Sequence, residues 1–187
     1  GLIGLKPTRG LLSTLGVVPA CRTLDCVSIF ANTAHDAHTV WQAACGFDPL
    51  DPFSRAPGPG QDAAAWLGGP FRFGVPAASQ LEFFGDAEAQ DLYWKAVATM
   101  EAIGGRKVEF DFSIFRAAAD LLYSGPWVAE RLAAIAPFME SNADRMDPVV
   151  RQIISGAARF SAVEAFNAGY LLRELRRASE SEWRQMD

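Results

Sequence analysis

The sequence predicts an α/β domain in which a mixed, mostly parallel sheet is covered by helices. Residues 71–75 and 107–112 alternate apolar and polar side chains, as half-buried strands do. The segment between them, 86–103, has the apolar spacing of a helix, so the order is that of a βαβ crossover between parallel strands. The 187 residues are 50% hydrophobic, which is sufficient for a buried core.

The elements before this crossover are two strands and a helix. The apolar first residues predict a buried strand, and residues 27–31 predict a second one. A helix is predicted over 33–45, because Thr33 is a good N-cap and Gly46 a good stop. Prolines and glycines crowd residues 46–70, which indicates a long surface loop.

The helix of the crossover has clear ends, since Asp86 can cap it and Gly104 and Gly105 can terminate it. Residues 81–84 are ambiguous between helix and strand. From Ser113 onward, apolar residues recur at spacings of three and four, and this pattern predicts further helices. These helices cover residues 115–123, 127–139, 148–155 and 161–178.

Composition and charge exclude several classes of protein. The formal net charge is −5 and the basic residues are scattered, apart from Arg173, Arg176 and Arg177, so a nucleic-acid partner is not expected. No apolar run approaches the roughly 20 residues that span a bilayer, and no signal-peptide pattern opens the chain. We therefore expect no membrane association and a cytoplasmic location.

A metal site is not expected either. The three cysteines, Cys21, Cys26 and Cys45, form no close pair, and the only histidines are His35 and His38. Reduced, buried thiols that act as small apolar groups are the better interpretation.

The sequence lacks a Walker-type phosphate loop, a Gly-x-Gly-x-x-Gly turn, a His-Glu-x-x-His pair and a Gly-x-Ser-x-Gly elbow, and we expect no cofactor. His35 and His38 fall on one face of the predicted 33–45 helix. We favour a solvated face over a catalytic role for them, because a general base also needs a nearby nucleophile.

The segment Tyr123-Ser-Gly-Pro-Trp-Val-Ala-Glu-Arg131 carries the strongest candidate residue. Gly125 breaks one helix, and Pro126 is suited to the first position of the next. On that new helix Arg131 lies at the margin of an apolar stripe made of Val128, Leu132 and Ile135.

A guanidinium at the edge of a buried face needs an anion. The anion could be a structural partner such as Glu130, Asp120 or another acid, or it could be a substrate carboxylate held by two hydrogen bonds. From the residues alone the structural partner is favoured, because most arginines beside apolar faces extend toward the surface.

Several stretches of the chain resemble the amidase signature family. Gly4-Leu-Lys-Pro-Thr-Arg-Gly10 and Gly16-Val-Val-Pro19 are similar to elements shared by most of its members. Pro19-Ala-Cys-Arg-Thr-Leu-Asp-Cys-Val-Ser-Ile-Phe-Ala31 and Leu122-Tyr-Ser-Gly-Pro-Trp-Val-Ala-Glu-Arg131 are similar to one branch, the amidase domain of the allophanate hydrolases.

This resemblance implies the amidase signature fold and hydrolysis of a small amide by a Ser, cis-Ser, Lys triad. In the family the triad precedes the Gly-Leu-Lys-Pro-Thr-Arg-Gly element, so we expect residues 1–187 to be part of a single amidase domain whose triad and C-terminal portion lie outside this sequence. No catalytic residue is assigned, and Lys6 is not the catalytic lysine. The resemblance assigns substrate contacts to Tyr123 and Arg131.

The resemblance also implies a parent enzyme that releases ammonia and carbon dioxide from allophanate, forms a homodimer, and is linked to urea carboxylase in urea breakdown. Two alternatives are another amidase that acts on a neutral amide and a non-catalytic protein that kept the scaffold. An allophanate hydrolase should lose activity when the substrate carboxylate is replaced by a neutral group. This loss would distinguish it from an amidase that acts on a neutral amide.

Overall fold

The computed structural model describes residues 1–58 and 69–187. The described residues have the mixed α/β structure that the sequence predicts. The helices and strands are β1 (Ile3–Leu5), β2 (Ile29–Ala31), α1 (Ala34–Ala44), β3 (Phe71–Pro76), α2 (Ala87–Ala102), β4 (Gly105–Phe110), α3 (Ser113–Ser124), α4 (Val128–Asn142), α5 (Pro148–Ser155) and α6 (Ala162–Trp183). They form two compact units, with 1–58 and 127–159 in the first and 69–126 and 160–187 in the second.

In the first unit β1 and β2 pair antiparallel, with Ile3 opposite Ala31. The small core beside them consists of Leu12, Ile29 and Ala37, and Leu5 is the residue of β1 that packs against it. The expectation that the first strand is buried is therefore wrong in part, since the strand forms but Ile3 is 42% exposed. An apolar run predicts a strand, whereas burial depends on which of its residues reach the core.

Helix α1 follows the prediction closely. The Thr33 hydroxyl accepts a hydrogen bond from the Asp36 N–H at 3.1 Å, which confirms the N-cap. The helix ends at Ala44, one residue before the predicted end. Residues 46–58 then form turns without a regular helix or strand, and the remainder of the predicted loop up to 68 lies outside the described residues.

The second unit contains the predicted βαβ crossover. Strands β3 and β4 pair in parallel, with Phe71 opposite Gly105, and α2 connects them. The Asp86 carboxylate caps α2 by accepting from the Ala89 N–H at 2.9 Å, and Gly104 ends the helix with a φ of +100°.

Strand β4 begins and ends two residues earlier than predicted. Its end is set by Asp111, whose carboxylate accepts from both the N–H and the hydroxyl of Ser113, at 2.9 and 2.8 Å. These bonds turn the backbone into α3, so Asp111 and Phe112 cannot continue the strand. The ambiguous residues 81–84 are neither helix nor strand, and Phe84 there has a positive φ of 53°.

The late helices are confirmed with small changes of bounds. Helix α5 matches its prediction, and α6 begins after Ser161, which forms a capping box with Glu164, but runs five residues further than predicted. Pro126 lies in the turn before α4 and does not occupy the first helical position. In the described part of the chain, no helix combines the length and the apolar content that crossing a membrane requires.

In the first unit, Gly10 is the position where only glycine fits. Its φ is +83°, and its carbonyl accepts from the Arg55 N–H at 2.8 Å. A Cβ atom here would lie 2.6 Å from the Phe53 carbonyl oxygen and from Cγ of Arg55. The close approach joins the loop between β1 and β2 to the loop after α1.

We expect Gly10→Ala to destabilise the protein more than Gly16→Ala. Both glycines have a φ of +83°, so either alanine adopts a left-handed backbone at a cost of roughly 1–2 kcal/mol. Nothing lies within 4 Å of a Cβ at Gly16, whereas the crowding at Gly10 should add about 1–3 kcal/mol. Chemical denaturation of the two variants measures the difference in the free energy of unfolding. Equal decreases in the two variants would show that the loop around Gly10 shifts to accommodate the Cβ atom.

Candidate functional site

In the first unit, residues 19–31 lie against residues 4–10 through side-chain bonds as well as through the β1–β2 pairing. The Arg9 guanidinium donates to the Thr23 carbonyl. The Cys26 thiol donates to the Pro7 carbonyl at 3.1 Å, and Lys6 Nζ donates to the same carbonyl at 3.0 Å. Two of the segments that carry the family resemblance are thereby held together.

The same 19–31 segment is bonded to the first turn of α4. The N–H and the hydroxyl of Thr23 both donate to one carboxylate oxygen of Glu130, at 3.3 and 2.9 Å. The Cys21 thiol donates to the Trp127 carbonyl at 3.7 Å. These contacts fix the start of the helix on which Arg131 lies.

Arg131 is half-buried, and its Nε atom is buried without a hydrogen-bond partner among the described residues. Glu130 was one of the expected ion-pair partners, and its carboxylate binds Thr23 instead. Within the described residues of this unit, no carboxylate lies within ion-pair distance of the guanidinium. The expected structural ion pair with Glu130 is therefore wrong.

The side chain beside this guanidinium is Cys21, which is 4% exposed. Burial raises the pKa of the Cys21 thiol, while the charge of Arg131 and its hydrogen bond to the thiol act in the opposite direction. The net shift is upward, so the thiol is neutral near pH 7. The prediction of buried thiols is confirmed for Cys21, and Cys26 and Cys45 are half-buried; all three are reduced.

Tyr123 belongs to the second unit. It is the last residue but one of α3, and its side chain is 78% exposed. No hydrogen bond to its hydroxyl occurs in the part of the chain that the structure describes. The phenol is thus positioned at the surface of its own unit with its donor and acceptor capacity unused.

The remaining polar candidates are the two histidines. His35 and His38 are both exposed on α1, as predicted, and the His38 ring lies 5.5 Å from the ring of Trp41. Among the described residues, no group of three or more histidines, cysteines and acids could hold a metal ion.

Residues 1–186 match the amidase family. The chain belongs to that family. It is 36% identical over 192 residues to the urea amidolyase of Saccharomyces cerevisiae, an alignment that covers 96% of this chain and 10% of that protein.

Solved structures give the same result for this amidase-family chain. The structure of Kluyveromyces lactis allophanate hydrolase is 34% identical with a TM-score of 0.88, covering 100% of this chain and 30% of that one. The K. lactis urea amidolyase structure is 35% identical with a TM-score of 0.89, covering 100% and 11%. These likenesses confirm the predicted amidase signature fold, while the chain spans about a tenth to three tenths of the relatives it matches.

A second feature of the first unit, which sequence reasoning missed, is the buried carboxylate of Asp51. It is 5% exposed although it lies in the segment predicted to be a surface loop. It accepts from the Thr14 N–H at 2.7 Å, the Thr14 hydroxyl at 3.0 Å, the Phe53 N–H at 2.9 Å and the Ser13 hydroxyl at 3.4 Å. The sequence signal that could have found it is the position of Asp51 in a proline-rich turn, where an aspartate often accepts from the N–H two residues later, here that of Phe53.

Asp51 shapes a small cavity of about 100 Å³ in this unit. Its walls also include Gly16, Arg22 and Asp25, so the bonds from Asp51 to Thr14 hold one side of the cavity. The backbone N–H groups of Thr14 and Phe53 lower the pKa of the Asp51 carboxyl below its ordinary value.

We expect Asp51→Asn to destabilise the protein, because an amide NH₂ would face N–H and O–H donors. A lowered pKa in the folded state means that the carboxylate stabilises the fold above the ordinary aspartate pKa of about 3.9, and that this contribution is lost as pH falls through the folded-state value. Denaturation measured from pH 7 to pH 3 should therefore show a weaker pH dependence in the variant than in the wild type.

The control for this experiment is Asp144→Asn, because the Asp144 side chain is fully exposed, at 103%, and its ion pair with Arg151 at 3.2 Å is therefore screened by solvent. That variant should keep the wild-type pH dependence. If the free energy of unfolding changed with pH equally in Asp51→Asn and the wild type, ionisation of Asp51 would not contribute to the loss of stability at low pH.

Proposed function

We propose that this chain is the substrate-recognition part of an allophanate hydrolase, an amidase that releases ammonia and carbon dioxide from allophanate. Identities of 34–36% to urea amidolyase and allophanate hydrolase over nearly the whole chain support this assignment. The observation that carries it is the Arg131 guanidinium, whose buried Nε has no partner among the described residues.

Arg131 suits a substrate that carries a carboxylate. Allophanate is a small urea-like amide with one carboxylate, and a guanidinium can hold a carboxylate by two parallel charge-assisted hydrogen bonds. The nearest acid on its own helix, Glu130, is held by Thr23 and does not compete. A neutral amide would leave this cation without a counter-charge, which disfavours the alternative of a neutral-amide amidase.

The role of Tyr123 is a hydrogen bond from its phenol to the same substrate. The family resemblance assigns this contact, and the exposed side chain with no internal partner is compatible with it. Together the two residues would fix which substrate carbonyl meets the nucleophile.

The chemical steps belong to a triad that we place before Gly1 in a longer polypeptide, as the resemblance implies. A neutral lysine would take a proton through the cis-serine from the nucleophilic serine, and backbone N–H groups would stabilise the oxyanion. Ammonia would leave from the terminal amide, and water would hydrolyse the acyl-enzyme. No cofactor is needed for these steps.

We also propose a setting for the enzyme: a cytoplasmic homodimer that acts together with urea carboxylase in urea breakdown. The likeness to urea amidolyase supports the link to urea carboxylase. The dimer and the location rest on the family resemblance.

We expect Arg131→Lys in the complete enzyme to lower kcat/KM for allophanate by roughly 10- to 100-fold, because lysine keeps the charge but loses the planar fork. Activity on biuret, in which an amide replaces the carboxylate, should change far less. Steady-state kinetics with both substrates measures this selectivity, and Arg177→Lys serves as the control, since Arg177 is 82% exposed.

An equal loss on both substrates would assign Arg131 a structural role. Wild-type activity of Arg131→Lys on allophanate would remove Arg131 from the site. A wild-type enzyme that prefers biuret would favour the neutral-amide alternative, and a complete protein without amidase activity would favour the non-catalytic one.

We expect Tyr123→Phe to lower kcat/KM for allophanate by about 3- to 10-fold, the loss of one neutral hydrogen bond. Its effect on thermal stability should stay within about 0.5 kcal/mol, because the side chain is largely exposed. Tyr170→Phe is the matched control, since Tyr170 is 59% exposed on α6. An unchanged kcat/KM in Tyr123→Phe would contradict the substrate contact.

A further inference from the structure

The Cys21 thiol connects the 19–31 segment to the helix that carries Arg131. Its sulfur is buried and donates to the Trp127 carbonyl at 3.7 Å. Trp127 directly precedes α4, and its carbonyl also accepts from the Glu130 N–H at 3.1 Å. The thiol therefore contacts the residue that precedes α4, and Arg131 is the fourth residue of that helix.

The charged groups around this thiol are Arg131, Glu130 and Asp25. The Asp25 carboxylate accepts from the backbone N–H groups of Ala20 and Cys21, both at 3.0 Å. Glu130 accepts from Thr23. Each carboxylate is engaged by donors of the 19–31 segment. The Cys21 thiol lies at the Trp127 carbonyl, four residues before Arg131, and within range of the charge of Arg131.

From this arrangement we infer that Cys21 is a positioning and specificity-determining residue, whose neutral thiol supports the Arg131 guanidinium without neutralising it. The inference rests on the proposed function, in which Arg131 binds the carboxylate of the substrate. An acid at position 21 would form an internal ion pair with Arg131 and compete with the substrate for the guanidinium. A thiol fills the same buried volume and offers only a weak acceptor.

The decisive comparison is Cys21→Asp against Cys21→Asn in the complete enzyme. The two side chains have the same shape and differ in charge, so effects of size cancel. Cys21→Asp should raise KM for allophanate about tenfold or more above that of Cys21→Asn, because the internal carboxylate occupies the guanidinium. The kcat values of the two variants should agree within about threefold, since the reacting groups lie elsewhere.

The same KM for allophanate in both variants would overturn the inference. So would a loss that falls on kcat rather than on KM, or one that is equal for allophanate and biuret, because a general structural effect would act on both substrates.

Cys21→Ala keeps the inference testable if the aspartate variant does not fold, since alanine buries no polar group. Removing the thiol should loosen the guanidinium and raise KM for allophanate about 3- to 10-fold with kcat retained. A wild-type KM in this variant would overturn the supporting role of the thiol.

Arg131→Lys measured in parallel separates the two proposals. If that variant loses activity on allophanate selectively while Cys21→Asp behaves like Cys21→Asn, the function stands and the role of Cys21 fails. If Arg131→Lys affects both substrates equally, the proposed function fails, and the inference about Cys21 fails with it.

Discussion

The surroundings of Arg131 in the first unit are set by where the neighbouring acids form their hydrogen bonds. Burying a guanidinium nitrogen without a hydrogen-bond partner, as at Nε of Arg131, costs free energy, and a protein lowers that cost most simply with an adjacent carboxylate. Here Glu130 adjoins Arg131 in the sequence, yet its carboxylate is bonded to Thr23. Asp25 is likewise occupied by two backbone N–H groups. The hydrogen bonds that order the 19–31 segment are thus the same bonds that keep acids away from Arg131.

Local signals account for the elements that the sequence predicted well. Thr33, Asp86 and Ser161 each accept from an N–H three residues later, so the information for these helix starts lies within one turn. Ends are less defined where no glycine or proline follows. Helix α6 continues through Ser179-Glu-Ser-Glu-Trp183, because none of these residues is a glycine or a proline. The apolar spacing ends at Ala178, so the prediction ended there too.

The candidate site could be predicted only in part, because its contacts join residues that are distant in the sequence. Arg131 was recognisable from its place beside an apolar stripe, and the family resemblance singled it out. Its neighbours were not recognisable, since the Cys21 to Trp127 and Thr23 to Glu130 contacts span 106 and 107 residues. Asp51 was not predicted for the same reason, because it and its partner Thr14 are 37 residues apart in the sequence and α1 lies between them. No local pattern encodes such partners, and an aspartate in a proline-rich segment suggests a solvated turn.

The contacts also connect a segment that most of the family shares to a segment that resembles one branch of it. The segment 4–10, which resembles most amidase signature proteins, supports residues 19–31 from one side through Arg9 and Cys26. The segment 19–31, which resembles the allophanate hydrolase branch, contacts the first turn of α4 on the other side through Cys21 and Thr23. A change of side chain at either of these two residues alters the surroundings of Arg131 but keeps the backbone carbonyl of Thr23 that Arg9 binds. Under the proposed function, side-chain changes in the 19–31 segment would alter the specificity for a charged substrate while the fold is retained.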